Sequence, residues 1–167
     1  MLLDVRGLLR EPGASRGFET SLDLSDLYFG SSRPVSERVE ASGRVRNTAG
    51  VLELEGSVHT TLHAVCDRCA AEFTRYVEYP IQAVLVEDEE SDDYENPWVF
   101  ELSDGQADLD DIVNTAFVLG MDSRLLCKED CKGLCCRCGK NLNLGPCDCK
   151  AEPDPRFAAL QQLLDKT

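Results

Sequence analysis

The stretch 127-CKEDCKGLCCRCGKNLNLGPCDC-149 holds seven of the nine cysteines of this 167-residue chain. The other two, Cys66 and Cys69, lie far upstream in the motif C-D-R-C. Nine is an odd number, so the thiols cannot all be paired in disulfides within one chain. The opening residues MLLDVRGLLREPG resemble neither a signal peptide nor a transit peptide, which predicts a cytoplasmic protein in a reducing compartment. We therefore expect the thiols to bind metal.

Eight of the cysteines come in four close pairs, an arrangement typical of structural zinc sites. Tetrahedral Zn²⁺ takes four thiolates, and a C-x2-C turn supplies two of them while backbone N–H groups hydrogen-bond the sulfurs. The sequence therefore predicts two structural Zn²⁺ sites, with Cys136 left over. The favoured grouping places Cys66, Cys69, Cys127 and Cys131 at one site, and Cys135, Cys138, Cys147 and Cys149 at the other.

A second grouping of the same thiols is also compatible with their spacing. It places Cys127, Cys131, Cys135 and Cys138 on one ion, and Cys66, Cys69, Cys147 and Cys149 on the other. In the favoured grouping one site is local, because only residues 139–146 separate its two halves. The other site connects the turn at 66–69 to a segment that follows much later in the chain. Spacing alone leaves both groupings open.

The predicted fold class is α+β: a mainly antiparallel β-sheet with two helices and a C-terminal four-cysteine segment like a zinc ribbon. No helix separates successive strands, so we expect the sheet to be antiparallel throughout. A hairpin turn is expected at 48–50, where a glycine separates two alternating patterns. Alternating apolar residues and turn signals predict strands at 2–9, 18–24, 35–47, 51–66, 72–86 and 96–103.

Two helices are expected after the strands. Acids in the first turn and a repeating apolar face predict a helix over 108–119, with Gly120 as its stop. Asp154 and Pro155 begin a second helix over 154–165. The predicted organisation is an antiparallel β domain over 1–126, a zinc-binding segment over 127–150 packed on it, and the C-terminal helix.

The negative charge of the chain is concentrated in one segment. The net charge is −14, and residues 87–111 contain twelve acids and no Lys or Arg. The acidic loop at 87–95 is most simply a solvated connection. Its alternative role is an arm that attracts a basic partner or keeps RNA away from one face.

The sequence does not predict an enzyme or a membrane protein. It contains no phosphate-binding loop and no Ser-His-Asp order, and a catalytic metal would need an open ligand position. His59 and His63 are four residues apart on a predicted strand, so both would lie on one face, most simply as half-buried strand residues. No run of eighteen apolar residues is present, so no membrane span is expected. Because the catalytic and phosphate-binding motifs are missing, no small-molecule substrate is expected either.

Several motifs carry a resemblance to a known family. The segments CDRCAAEF, DLDDIVNTAFVLG, LCKEDCKGLCCRCGKNLN, CDC and DPRFAALQQLL resemble the YceD family, the large ribosomal RNA subunit accumulation proteins. Two positions depart from the family pattern. Cys136 stands where a proline is usual, which leaves a spare thiol, and Gly120-Met121 replaces a common Leu-Pro, which predicts a looser end of the helix.

The resemblance implies a non-catalytic factor in the accumulation of large-subunit ribosomal RNA, that is, in ribosome biogenesis. Its expected partner is ribosomal RNA, a large-subunit ribosomal protein or an assembly intermediate. A chain this acidic favours a basic protein, or an RNA–protein intermediate, over naked RNA. The alternative is a zinc-stabilised protein-interaction module unrelated to ribosomes, for example in metal handling or regulation.

Overall fold

The computed structural model describes residues 1–30, 32–87 and 96–149. They belong to two compact units. The first contains Met1–Asp67 and Ala71–Cys127. The second contains Arg68–Ala70 and the described residues from Lys128 onward. Most of the predicted acidic loop, the end of the predicted 127–150 segment and the whole predicted helix at 154–165 lie outside the described residues.

A five-stranded sheet forms most of the first unit, in the spatial order β2-β3-β4-β5-β6. Its side chains alternate between buried and exposed along β3 and β4, because successive residues of a strand point to opposite faces. One face of the sheet therefore supplies the core, and the other carries polar side chains. The strands are β2 (Ser15–Leu22), β3 (Val39–Thr48), β4 (Val51–Val65), β5 (Glu72–Val86) and β6 (Val99–Glu101).

The hairpin predicted at 48–50 joins β3 to β4. Thr48 pairs with Val51, so the loop consists of Ala49 and Gly50 alone. Both loop residues have positive φ, 53° and 100°, which is the backbone twist that two-residue hairpin loops require. The Gly50 N–H donates to Oδ1 of Asn47 at 2.8 Å, which fixes the turn.

The expectation of an antiparallel sheet throughout is wrong at one edge. The pairs β2–β3, β3–β4 and β4–β5 are antiparallel, but β5 and β6 are parallel, with Val84 opposite Val99. Twelve residues separate β5 from β6. A parallel pair needs a connection of about a dozen residues or more, and the chain between β5 and β6 has that length.

The strand expected over 2–9 is also wrong beyond its first three residues. β1 covers Leu2–Asp4, and a short helix, α1, covers Arg6–Leu9. The cause is local: Oδ1 of Asp4 accepts the backbone N–H of Arg6 at 3.0 Å, which turns the chain. β1 pairs instead with β7 (Gln106–Asp108), a strand that the sequence pattern did not indicate.

The predicted helix at 108–119 is present as α2, Leu109–Gly120, with Asp108 as its N-cap. Oδ1 of Asp108 accepts the N–H of Asp110 at 3.0 Å, which satisfies one free donor of the first turn. Phe117 makes an edge-to-face contact with Tyr79 of β5, with ring centroids 5.9 Å apart. The buried face of α2 consists of Leu109, Ile112, Val113, Ala116 and Phe117.

The end of α2 is closely packed, although the replacement of a common Leu-Pro by Gly120-Met121 predicted a looser end. A Cβ added to Gly120 would lie 2.5 Å from the ring of Tyr79, so the absence of a side chain permits this approach. The Met121 N–H still donates to the carbonyl of Phe117 at 3.1 Å. Gly120 thus serves packing rather than a left-handed helix stop.

Candidate metal centres

The motif C-D-R-C forms the loop between β4 and β5. Val65 pairs with Glu72, which leaves six residues, 66–71, to reverse the chain. The Cys66 N–H donates to the carbonyl of Ala71 at 2.9 Å. Ala70, the residue directly after the second cysteine, has φ 54°. Cys66 and Cys69 are both buried, at 2% and 4% exposure.

The second C-x2-C motif has the same backbone geometry. Leu134 and Asn141 form an antiparallel bridge, and the six residues between them reverse the chain. The Cys135 N–H donates to the carbonyl of Lys140 at 2.9 Å, and Gly139 has φ 71°. The Gly139 N–H also donates to the carbonyl of Cys135 at 2.9 Å. The two loops therefore adopt the same turn, with Ala70 and Gly139 at the position that has positive φ.

The sulfurs of eight cysteines gather in two groups of four. In each group the sulfur atoms all lie within 4.8 Å of one another. None of the nine cysteines, all of which lie in the described part of the chain, is in a disulfide. The groups are Cys66, Cys69, Cys127 and Cys131, and Cys135, Cys138, Cys147 and Cys149; the alternative grouping left open by the spacing is not the one the structure has.

Both groups fit a tetrahedral metal ion. A Zn–S bond of about 2.3 Å places the sulfurs of a tetrahedral site about 3.8 Å apart, which the 4.8 Å limit accommodates. Four sulfur donors suit a soft or borderline ion and leave no open position for water. Such a site can stabilise a fold, but it does not offer the exchangeable ligand that metal-assisted hydrolysis needs.

Hydrogen bonds in the second group stabilise a thiolate, which is the form of cysteine that binds a cation. Backbone N–H groups of Cys138 and Arg137 donate to the sulfur of Cys135 and, with hydrogen bonds from Cys147 and Cys138, lower the pKa of Cys135 to about 6. Its neighbour Cys149 keeps its proton: a hydrogen bond to Cys138 is the largest cause that raises the pKa of Cys149 to about 12. A metal ion bound by these four sulfurs would replace the protons of their thiols.

The two residues inside the first C-x2-C loop each hold a part of the chain near another cysteine. Oδ2 of Asp67 accepts the N–H of Leu125 at 2.7 Å, and the Asp67 N–H donates to the carbonyl of Leu125 at 2.9 Å. This reciprocal pair fixes the chain two residues before Cys127. Nη1 of Arg68 donates to the carbonyls of Glu129 and Cys131, at 3.3 and 3.2 Å.

Asn143 has a similar role in the second unit. It lies in a single 3-10 turn, Leu142–Leu144, and its Nδ2 donates to Sγ of Cys131 at 3.3 Å. Its Oδ1 accepts the N–H of Lys132 at 2.9 Å. Sequence reasoning named the cysteines but missed Asp67, Arg68 and Asn143. The signal available was that these polar residues stand between ligand positions, where side chains commonly orient metal ligands.

Comparison with known proteins places these motifs in a family. The family described as "Large ribosomal RNA subunit accumulation protein YceD" matches residues 54–164, which include all nine cysteines. The chain belongs to the YceD family. A protein of Mycobacterium leprae, described as "Uncharacterized protein ML1660", is similar: it is 26% identical over 180 residues, covering 98% of this chain and 77% of its own length. No solved structure matches significantly.

The histidines of this YceD-family chain lie apart from the cysteine groups. Both are on the polar face of β4, as their spacing predicted, and each is near a glutamate: Nε2 of His59 is 3.2 Å from Glu40, and Nε2 of His63 is 3.7 Å from Glu37. Within the described ranges, the groups of three or more His, Cys or acidic donors close enough to share an ion are the two cysteine groups. The family description names an accumulation factor rather than an enzyme.

Each helix in the described part of the chain is too short or too polar to cross a membrane.

Proposed function

We propose that this chain is a non-catalytic factor in the accumulation of large-subunit ribosomal RNA, stabilised by one Zn²⁺ ion in each cysteine group. The observation that carries the proposal is the coincidence of the family match with two groups of four sulfurs within 4.8 Å. Four thiolates without an exchangeable ligand are typical of structural zinc. We place the protein in the cytoplasm, where thiols stay reduced and available for metal.

The net charge of the whole chain favours a partner that contains protein. Each zinc with four thiolates contributes about −2, so the loaded chain would carry about −18. An acidic protein does not attract phosphates at long range, whereas it does attract a basic ribosomal protein. The proposed partner is therefore a basic large-subunit ribosomal protein, or an assembly intermediate in which such a protein is exposed.

The cations near the cysteines support the same partner, because several of them have structural contacts. Nζ of Lys140 donates to the carbonyl of Pro146 at 2.6 Å, which closes the loop between the halves of the second group. Arg68 binds the two carbonyls described above, and Nζ of Lys128 is 3.6 Å from the carboxylate of Asp130. Cations held in this way are less able to form the continuous face that binding to phosphates requires.

Sedimentation of the full-length protein tests the proposal. Lysates of the native host, expressing the tagged chain at its normal level, are fractionated on sucrose gradients at low and high salt. The protein is expected with large-subunit precursors at low salt, and its depletion should lower large-subunit relative to small-subunit ribosomal RNA. Absence from precursors at low salt, with unchanged RNA ratios after depletion, would instead support the interaction module unrelated to ribosomes.

A further inference from the structure

The segment 131–134 connects the last cysteine of the first group to the first cysteine of the second. On one side it is held by Arg68, whose carbonyl accepts the N–H of Leu134 at 3.1 Å. A Cβ added to Gly133 would lie 3.0 Å from the same carbonyl, so the two backbones are in close contact. The position of this connecting segment is therefore fixed by the loop that carries Cys69.

On its other side the segment is held by the loop of the second group. Asn143 accepts the N–H of Lys132 and donates to Sγ of Cys131, and the Leu142 N–H donates to the carbonyl of Gly133 at 2.9 Å. Asn143 is itself oriented by Asn141, whose Oδ1 accepts both the backbone N–H and Nδ2 of Asn143 at 2.9 Å. One amide thus reaches a sulfur of the first group from inside the second.

The loop that carries Asn143 lies between Cys138 and Cys147, the two halves of the second group. An ion bound by both halves fixes the two ends of that loop. Without the ion, the position of Asn143 depends on a short 3-10 turn and on its own hydrogen bonds, and such short segments open easily. Metal binding at the second group therefore orders the donor that stabilises the Cys131 thiolate.

We propose that Asn143 couples the two metal sites, so that Zn²⁺ binding at the second group raises the affinity of the first, and the reverse. This inference rests on the proposed zinc sites and adds a specific role for one amide. An amide N–H donated to a thiolate disperses its charge and orients it toward the metal, and the loss of such a contact typically costs about 10–100-fold in metal affinity. Coupling between two binding sites is reciprocal, so either site can load first.

Native mass spectrometry of the full chain at one equivalent of Zn²⁺ tests the coupling. At half-saturation, two independent sites of equal affinity leave about half of the molecules with one bound ion. Independent sites of unequal affinity leave a larger fraction with one bound ion. A tenfold coupling between two sites of equal affinity lowers the one-ion fraction to about one quarter. We expect the wild-type chain to show mainly metal-free and two-zinc species.

The decisive variant is Asn143→Asp, which keeps the size of the side chain, removes the N–H donor and places a negative charge beside the thiolate. It should raise the one-zinc fraction to half or more. Leu144→Asp is the matched control, because it adds the same charge in the same turn at a side chain that is 84% exposed. It should behave as the wild type. Asn143→Ser, which removes the donor without adding charge, gives the same test if the aspartate variant does not fold.

Two results would overturn the coupling. One is a wild-type one-zinc fraction of half or more, and the other is an Asn143→Asp or Asn143→Ser chain that keeps the wild-type distribution. A chain that binds no zinc even at excess metal would contradict the zinc sites themselves, which is a different result from two ions bound independently.

Discussion

Replacing Asp67 with alanine should destabilise the protein by about 1–2 kcal/mol without removing a metal ligand. Oδ2 of Asp67 accepts the N–H of Leu125 at 2.7 Å. Leu125 is only 4% exposed, so the substitution leaves its N–H buried and poorly satisfied. Such a loss costs about 1–3 kcal/mol, and the exposure of Asp67 places this case in the lower half of that range. Asp67→Asn keeps an acceptor but loses the charge, so it should show about half of the loss of stability expected for Asp67→Ala.

Urea unfolding measures this difference. The protein is reduced and held at constant free Zn²⁺, because metal bound by the native state adds to its apparent stability. With a slope of about 2 kcal/mol per molar urea, a loss of about 1–2 kcal/mol moves the midpoint down by about 0.5–1 M. Asp26→Ala is the matched control: Asp26 is 95% exposed and forms an ion pair with Arg33 at 3.2 Å, so its loss should cost about 0.5 kcal/mol or less.

The ordering of these variants decides whether Asp67 positions the chain before Cys127. Asp67→Ala should be less stable than Asp67→Asn, and both should be less stable than Asp26→Ala. If Asp67→Ala unfolds at the same urea concentration as Asp26→Ala, the hydrogen bond to Leu125 contributes nothing measurable. The role assigned to the aspartate of the C-D-R-C motif would then be wrong.

Three further outcomes are expected. Gly139→Ala should lower the stability of the protein by about 1 kcal/mol, because Gly139 has a φ of 71°. Ala70→Gly, at the same position of the other loop, should be neutral or slightly stabilising. If thermal unfolding shows the same change in stability for both variants, the two loops do not share one turn geometry. Cys136→Pro should retain full zinc content by mass spectrometry, since Cys136 is exposed and lies outside both sulfur groups, and loss of an ion would show that it is a ligand. Neutralising the acids of 87–95 should slow association with pre-ribosomal particles, more at low salt than at high; tighter binding instead would indicate that the segment repels RNA.

The strands that the sequence predicted well are those whose own pattern determines them. β5 was expected at 72–86 and covers Glu72–Val86, because alternating side chains mark both of its faces. The hairpin of β3 and β4 was predicted because its turn lies between two such patterns. The pairing of β1 with β7 brings together residues about a hundred positions apart, and no local sequence pattern predicts it. The parallel edge at β6 likewise depends on the route of the connection and not on the strand itself.

The candidate sites divide in the same way. Close pairs of cysteines are visible in the sequence because the chemistry of the metal fixes their spacing. Which pairs share one ion depends on where the β4–β5 loop lies relative to later segments, and that is a property of the fold. The contacts of Asp67, Arg68 and Asn143 could not be predicted, because polar residues near ligands are equally common on solvated turns. Their partners became apparent only with the backbone positions of Leu125 and Cys131.

The zinc content of the purified, reduced protein, measured before and after chelation and followed by circular dichroism, tests the central claim most directly. Two sites of four thiolates predict two zinc ions per chain and a loss of ordered structure when both are removed, since structural zinc contributes about 10–16 kcal/mol of apparent binding free energy. One ion per chain would show that one sulfur group does not bind metal. A protein that is isolated without zinc and keeps its full structure would contradict the account.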